Sequence, residues 1–343
     1  MKPHRQQGVA VITALLLTTL AVTIVASLFW LQQVQVRSME NQRLQLQTRW
    51  ILRGALDLSR LVLNQDVMNA QLYTQANGIW ATPLEETRLD DYVERERLQG
   101  ESFNATLAGR MVDAQSRYNL TNLATNRKVN TAELEVFERL LTNLRLDSGL
   151  AQGVANLVAN GQIAAAPPAQ PNGGGSGSSG AAGAASAASG GTGLASGQQN
   201  PTQSSGGEPM GLVRVEDLLA VSGFTPQAVE QLRDYVIILP EATALNVNTA
   251  PAELIAALVP NLSLSDAAVI VNNRKRAYYR STNEFATLPQ VGGVRPLARW
   301  DVKSSYFLAY SRVRLDRASL DTQALLSRPG NIPATSVVWI REN

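Results

Sequence analysis

The chain has 343 residues, of which 45 % are apolar and only 17 % charged, where about a quarter is usual for a soluble domain. Lys2 and Arg5, in an acid-free leader, account for the whole formal net charge of +2, so the body is neutral and lacks the cationic surplus that phosphate-backbone binding needs. There is no cysteine, and the one histidine is His4, which excludes a disulfide framework, a Cys nucleophile, a Ser-His-Asp triad and a His-based zinc site in the body; no enzyme activity is expected.

A polar leader, residues 1–8, precedes Val9–Leu31, a stretch without any charge. As a helix that stretch spans roughly 30 Å, enough to cross a bilayer. The basic leader predicts a cytoplasmic N-terminus and an exported body. A cleaved secretory signal needs small residues after its apolar core; here the core runs into Phe29-Trp30-Leu31-Gln32-Gln33. No Gly or Pro interrupts the chain from Val9 to Arg53, and apolar residues continue at helical spacing. Leu44, Ile51 and Leu58 repeat at seven, with Leu52, Leu56 and Leu63 on a neighbouring face. The pattern predicts one helix of about 55 residues, roughly 80 Å long. Residues 9–31 lie in the membrane and residues 32–65 form its exported part. The Leu44/Ile51/Leu58 face is the candidate packing surface for a partner.

Residues 66–129 read as a mixed α/β part. Asn77-Gly78 marks a turn, and alternation between Phe103 and Leu123 suits two short strands. Asp90, Asp91, Glu94 and Glu96 interleave with Arg88, Arg95 and Arg97 as a self-neutralised surface. Residues 130–290 read as helical. Asn130 with Glu133 resembles a capping box, and Leu150–Ala159 is a second helix. Thr225-Pro226 opens a third, which leads through Val229 and Leu232 to Val236 and Ile237. Pro251 precedes a helix over 252–259, and Ser263 with Asp266 opens another. Within this block, residues 167–209 are mostly Gly, Ser, Ala, Gln and Pro; they cannot bury enough apolar surface to offset ordering entropy and read as a flexible loop. Its GGGSG run lacks the G-K-[ST] ending of a phosphate loop. Residues 291–343 read as strands, with Tyr306/Leu308/Tyr310 and Val313/Leu315 alternating on either side of a bulge or register change. The fold class is α+β: a long helix on an antiparallel sheet, a large all-α insertion over 130–290, and late strands completing the sheet begun before Asn130.

The sharpest internal motif is Leu245-Asn246-Val247-Asn248-Thr249-Ala250-Pro251-Ala252-Glu253-Leu254. Asn246 and Asn248 are expected to fix a turn, Thr249 to cap a helix, and Leu254 and Leu258 to enter the core. The stretch is also similar to the opening of helix-hairpin-helix DNA-binding modules, with Arg274, Phe285 and Leu288-Pro289-Gln290-Val291-Gly292-Gly293 downstream. The expected hairpin, Pro260–Leu264, holds no glycine, whereas that reading needs backbone N–H groups free to meet phosphate.

Gly8-Val9-Ala10-Val11-Ile12-Thr13-Ala14-Leu15-Leu16 resembles a type IV prepilin-type processing site. The resemblance implies cleavage between Gly8 and Val9 by a prepilin peptidase and N-methylation of Val9. Most such proteins carry Glu at mature position 5, where this chain has Thr13; the K-type minor pseudopilins of type II secretion (GspK family) typically lack that Glu. Tyr118-Asn119-Leu120-Thr121-Asn122-Leu123 and Asn246-Val247-Asn248-Thr249-Ala250 also resemble stretches of that family, with Ser116 in place of a usual Gly. A carboxylate in the apolar layer is costly unless paired, so a subunit without it suits the first, tip position. The resemblance implies a single-pass protein of the bacterial inner membrane with a periplasmic body, at the tip of the pseudopilus, priming its assembly and supporting export. Its implied partners are the I- and J-type minor pseudopilins, the major pseudopilin, the inner-membrane secretion platform and the prepilin peptidase; nucleic acid is not expected. It also implies calcium in the helical domain. Calcium needs six to eight oxygens, and between Leu157 and Met210 the only acid is Glu208, with Glu216 and Asp217 beyond it, so no metal site and no cofactor are expected. Two alternatives stay open: a membrane-anchored DNA receptor, and a minor pilin of a type IV pilus.

Overall fold

The computed structural model describes residues 7–69, 72–89, 104–162, 211–330 and 333–342. The acidic cluster at 90–96, the loop at 167–209 and Glu208 lie outside the described residues. Helix α1, Gln7–Asn69, is a single helix of 63 residues. It runs past the predicted end at residue 65 because Asp66 and Val67 are also buried. Its first part is long and apolar enough to cross a membrane, and no part of that window is buried within the chain. The hydroxyls in this part bond back along the helix, Thr18 to the Leu15 carbonyl at 2.9 Å and Ser27 to that of Ile24 at 2.8 Å, so they enter an apolar layer already satisfied.

Five strands form one antiparallel sheet: β1 (Leu84–Arg88), β2 (Ala105–Asp113), β3 (Tyr306–Leu315), β4 (Ala318–Ser327) and β5 (Ser336–Glu342), in that spatial order. The late strands therefore join the early ones, through β2–β3 pairing from Ala105↔Leu315 to Asp113↔Phe307. Leu52, Ala55, Leu56 and Leu63 of α1 pack on Leu107, Phe307, Ala309, Val313, Ala324 and Leu326 of one sheet face. At the lower end Arg317, in the β3–β4 turn, reaches Glu40 at 3.3 Å, so the sheet rides on α1 from about residue 40 upward.

Two expectations about the strands need correction. Phe103 lies outside the described residues, and from 104 to 123 the two strands are unequal: one of nine residues, β2, then a 3₁₀ turn at Ala114–Ser116 and a two-residue strand at Tyr118–Asn119. Strand β3 carries no bulge, because its register with both neighbours is unbroken. The apparent change of parity is a change of surroundings. Phe307, Ala309 and Val313 face α1, while Tyr306 and Leu308 face a second core with Ala114, Ile237, Leu239 and Leu325. Lower down the second face meets water. There Arg312 pairs with Asp321 at 2.6 Å and Arg314 with Glu86 at 3.5 Å.

The insertion contains α2 (Thr131–Asn143), α3 (Leu150–Gly161), α4 (Pro226–Leu232), α5 (Ala252–Leu258), α6 (Leu264–Arg274) and α7 (Thr282–Ala286). Asn130, Thr225 and Ser263 cap their helices through side-chain oxygens. Phe137, Leu140, Leu141, Val154, Leu218, Leu232, Leu254, Ile255 and Phe285 form its core. Helix α4 stops at Leu232, short of the expected Ile237. The β-branched pair Val236–Ile237 instead lies parallel to Tyr118–Asn119, and Leu245–Asn246 lies parallel to Trp300–Asp301. These short pairings tie the insertion to the segments that flank it.

Candidate functional site

The polar groups that fold inward converge where α1, the sheet and the helical insertion meet. Asp113, the last residue of β2, is buried. Its Oδ2 accepts from Asn246 Nδ2 at 2.9 Å, Ser304 Oγ at 2.6 Å and Thr249 Oγ1 at 2.5 Å, and its Oδ1 from the Gln115 N–H at 2.8 Å. Burial pushes the Asp113 carboxyl above the usual range, and the bonds from Ser304, Thr249, Gln115 and Asn246 oppose that. Asn246 Oδ1 accepts from the Asn248 N–H at 2.9 Å, and Asn248 in turn pairs with the Tyr279 backbone through both ends of its amide, at 2.8 and 2.9 Å. Asn246 and Asn248 thus fix a turn, but they also bridge to the sheet and to the segment after α6. Thr249 does not cap: α5 begins after Pro251 with no side-chain cap bond, and the Thr249 hydroxyl is taken by Asp113.

The chain of contacts continues to α1. Thr74 Oγ1 accepts from the Ser304 N–H at 3.1 Å and from Arg328 Nη2 at 3.1 Å, and Arg328 Nη1 donates to Asp66 Oδ2 at 2.7 Å. Asp66, Thr74, Asp113, Asn246, Ser304 and Arg328 are all buried. Asp66 and Arg328 carry no periodicity or motif that marks them in the sequence. The signals for Asp113 are its register with the buried residues of a strand and its place at the head of the family-like stretch that continues through Ser116 to Leu123.

The Tyr118–Leu123 stretch is a second clamp. Asn119 Nδ2 donates to the Glu241 carbonyl at 2.8 Å, Thr121 Oγ1 to that of Leu239 at 2.8 Å and Asn122 Nδ2 to that of Thr243 at 2.8 Å. The capping box at Asn130 is half formed. Asn130 accepts from the Glu133 N–H at 3.5 Å, but the Glu133 carboxylate turns inward to the Tyr118 hydroxyl at 3.0 Å and the Arg299 N–H at 3.3 Å. Burial raises the Glu133 carboxyl above its ordinary value, partly offset by the bonds from Arg299 and Tyr118. A raised folded value means that this carboxyl stabilises the fold fully below its unfolded pKa, about 4.3, and loses that contribution as pH rises through the folded value. Glu133→Gln is neutral throughout, so its stability relative to wild type should rise between pH 4 and pH 7. Melting temperatures of both full-length proteins in detergent across that range test this, and a constant difference would refute it.

Of the basic run Arg274-Lys275-Arg276 in the DNA-like segment, Arg274 is engaged internally, while Lys275 and Arg276 are exposed. Arg274 Nη1 donates to the Val247 carbonyl at 2.7 Å, and burial lowers its guanidinium to about 10, still charged at neutral pH. Arg139 Nη2 donates to the Ala256 and Val259 carbonyls, both at 2.8 Å, holding the end of α5 where the hairpin starts. The described acids of the implied calcium region do not form a calcium shell. Asp217 accepts the Val213 and Arg214 N–H groups and Glu216 pairs with Arg233 at 2.8 Å. Among the described residues no group of three His, Cys, Asp or Glu side chains is placed to hold a metal.

On α1, Gly8 and Val9 lie in the first turns, and the Thr13 hydroxyl bonds the Ala10 carbonyl at 3.0 Å. The Leu44/Ile51/Leu58 face borders the sheet: Leu44 and Ile51 are half-buried and Leu58 is exposed. The residues turned farthest from the sheet are Met39, Leu46, Trp50 and Leu61, all exposed.

Two family models match, both described as type II secretion system (T2SS), protein K, one over residues 116–241 and one over 245–303. Between them they cover more than half of the chain. The chain belongs to the protein K family of type II secretion systems. Each matched region contains one of the two polar clamps, Asn119–Asn122 in the first and Asn246–Thr249 in the second. Protein K of Pseudomonas aeruginosa is 27 % identical over 317 residues, covering 90 % of this chain and 85 % of that protein. Protein K of Klebsiella pneumoniae is 25 % identical over 345 residues, covering 95 % and 94 %. Among solved structures the GspK–GspI–GspJ complex from enterotoxigenic Escherichia coli includes a chain of the same fold, with TM-score 0.62, 16 % identity, and 90 % of this chain matched to 99 % of that one. The chain is thus a minor pseudopilin of type II secretion, a family of structural components of the secretion apparatus, and its N-terminal helix is suited to a single-pass membrane anchor.

Proposed function

We propose that the chain is cut between Gly8 and Val9 by a prepilin peptidase, methylated on Val9, and held in the inner membrane with its N-terminus cytoplasmic and its body periplasmic. It assembles there with I- and J-type minor pseudopilins at the tip of the pseudopilus, which it primes. The observation that carries this reading is α1. It is one helix that begins at the processing motif, is apolar over a membrane length, and then packs on a sheet that bears a bulky helical insertion on its opposite face. The insertion sits at the far end of α1, where it would block a subunit from adding above. Thr13 adds support, since its hydroxyl is satisfied within the helix and it offers no carboxylate to the α-amine of another subunit. The solved relative is a complex with GspI and GspJ, which supports the same class of partners here. The reading as a DNA receptor is weaker because Arg274 holds a carbonyl of the fold, the expected hairpin has no glycine, and the body carries no surplus of positive charge.

The test is the N-terminal residue and intact mass of protein taken from native membranes. A chain that begins at Val9 with one added methyl group is expected. A chain that begins at Met1 in cells with active peptidase would overturn the processing and filament reading together.

A further inference from the structure

Tyr73, just after α1, and Tyr278, just after α6, are 205 positions apart in the chain and meet ring to ring. Their ring centroids are 4.6 Å apart with the planes at 30°, within the range that aromatic pairs favour. Their hydroxyl oxygens are 3.1 Å apart and share a hydrogen bond. The oxygens are closer than the ring centres, so the rings lean together at their phenolic ends. The carbon that bears each oxygen lies midway between centre and hydroxyl. These carbons, and the ortho carbons bonded to them, are therefore held in van der Waals reach of one another.

Both tyrosines sit beside pinned backbone. The Thr74 N–H donates to the Val302 carbonyl at 2.8 Å. Asn248 holds the Tyr279 N–H at 2.9 Å and its carbonyl at 2.8 Å. Both rings are half-buried, which fixes the pair yet leaves an edge open to small solutes. Among the described residues no other two tyrosine rings make contact. Tyr118, Tyr279 and Tyr306 are buried, and the Tyr118 and Tyr306 hydroxyls are taken by Glu133 and Glu241. Two reactive groups fixed in contact react as if at very high concentration. For two phenols the reaction that contact favours is oxidative coupling.

We propose that Tyr73 and Tyr278 are a cross-linking site, joined ring carbon to ring carbon by hydrogen peroxide acting through a one-electron oxidant. Each phenol gives up one electron and its hydroxyl proton, which leaves two phenoxyl radicals side by side. A bond forms between a carbon ortho to one oxygen and a carbon ortho to the other. The hydrogen on each of those carbons moves to its oxygen as the ring regains aromaticity. The two electrons and two protons released reduce one peroxide to two waters. The product is two hydrogens lighter than the two tyrosines. The chain has no cysteine, so no disulfide can tie the segment after α1 to the insertion, and this bond ties them instead. The chemistry stands whether or not the filament reading does.

The test treats the purified full chain in detergent with hydrogen peroxide and a haem peroxidase. N-acetyltyrosine in a parallel tube shows that the oxidant is active. Wild type is expected to remain a single chain by size and to gain the blue fluorescence of a coupled biphenol. Trypsin, which cuts after Arg60, Arg88, Arg276 and Arg280, should release one linked species joining 61–88 to 277–280, two hydrogens lighter than their sum. Fragmentation should place the link on Tyr73 and Tyr278. Closing so long a loop should raise the melting temperature by about 5 °C. Tyr278→Phe keeps the stacked ring without the hydroxyl; it should melt as wild type does before oxidation and lose tenfold or more of the linked species. Tyr73→Phe should do the same from the other side. Absence of the linked species from wild type, while N-acetyltyrosine couples, would overturn the site. Linkage only between separate chains would do so too. An undiminished yield from Tyr278→Phe would move the bond to Tyr279 and overturn the pairing.

Discussion

Asp113→Ala should destabilise the protein by about 3 kcal/mol, because four buried donors lose their acceptor and each unsatisfied donor costs about 1–3 kcal/mol. The cost is less than the sum of four such penalties because part of the network relaxes. Thr249 Oγ1 already lies 3.4 Å from the Asn246 carbonyl, and Asn246 Nδ2 keeps Ser304 Oγ at 2.8 Å and the Thr74 carbonyl at 3.2 Å. The Gln115 N–H and the Ser304 hydroxyl have no such second acceptor at hand among the described bonds. For a chain of this size the loss corresponds to a fall in melting temperature of roughly 6–10 °C. Asp113→Asn separates shape from acceptor capacity. With its amide nitrogen turned toward the Gln115 side it still offers one oxygen to Asn246, Ser304 and Thr249, and it should cost about half as much. The comparison is made by thermal unfolding of the full-length proteins in detergent. An alanine variant that melts within 1 °C of wild type would show that the junction does not hold the domains together.

That junction marks the boundary of what the sequence made legible. The long helix, the inserted helical domain and the completion of the sheet by late strands could be read ahead, because each depends on periodicity or on capping chemistry that acts within a few residues. The helix caps at Asn130, Thr225 and Ser263 are local in this sense. The misreadings share the opposite cause. Thr249 looked like a cap because it precedes a helix, yet its hydroxyl is claimed by Asp113, which is 136 positions away. Glu133 looked like half of a capping box, yet Tyr118 and Arg299 draw it inward. The parity change in β3 looked like a bulge because alternation reports burial, and burial here changes when the insertion stops covering the second face. On α1 the heptad Leu44/Ile51/Leu58 was visible, but which of two adjacent apolar faces meets the sheet depends on how the helix is rotated about its own axis. The sheet takes Leu52, Leu56 and Leu63, which leaves Leu46, Trp50 and Leu61 outermost. Periodicity finds stripes; only the packed fold says which stripe remains free.

Arg328→Met should be at least as damaging as Asp113→Ala. The Arg328 side chain is 5 % exposed and its partner Asp66 6 %. Removing one member leaves a buried charge without compensation, at a cost of about 3–5 kcal/mol. Arg328 also lies over the Phe307 ring at 4.5 Å and bonds the Thr74 hydroxyl and the Ser304 carbonyl, so packing and hydrogen bonding are lost with the charge. The pair itself need not be worth that much, since replacing both members of a buried ion pair by apolar residues is often neutral. The double variant Asp66→Leu/Arg328→Met should therefore be more stable than Arg328→Met alone, with a coupling of about 2 kcal/mol or more in a double-mutant cycle. Additive single effects would refute the pairing. The position of the pair gives the result a functional reading. Asp66 sits in the last turn of α1, beneath the insertion, and Arg328 follows β4, so this contact fixes where the upper end of the long helix stops against the sheet. If holding that end is its whole contribution, secretion should recover with stability in the double variant. A double variant that folds like wild type and still fails to support secretion would mean that the charge acts in assembly as well as in the fold.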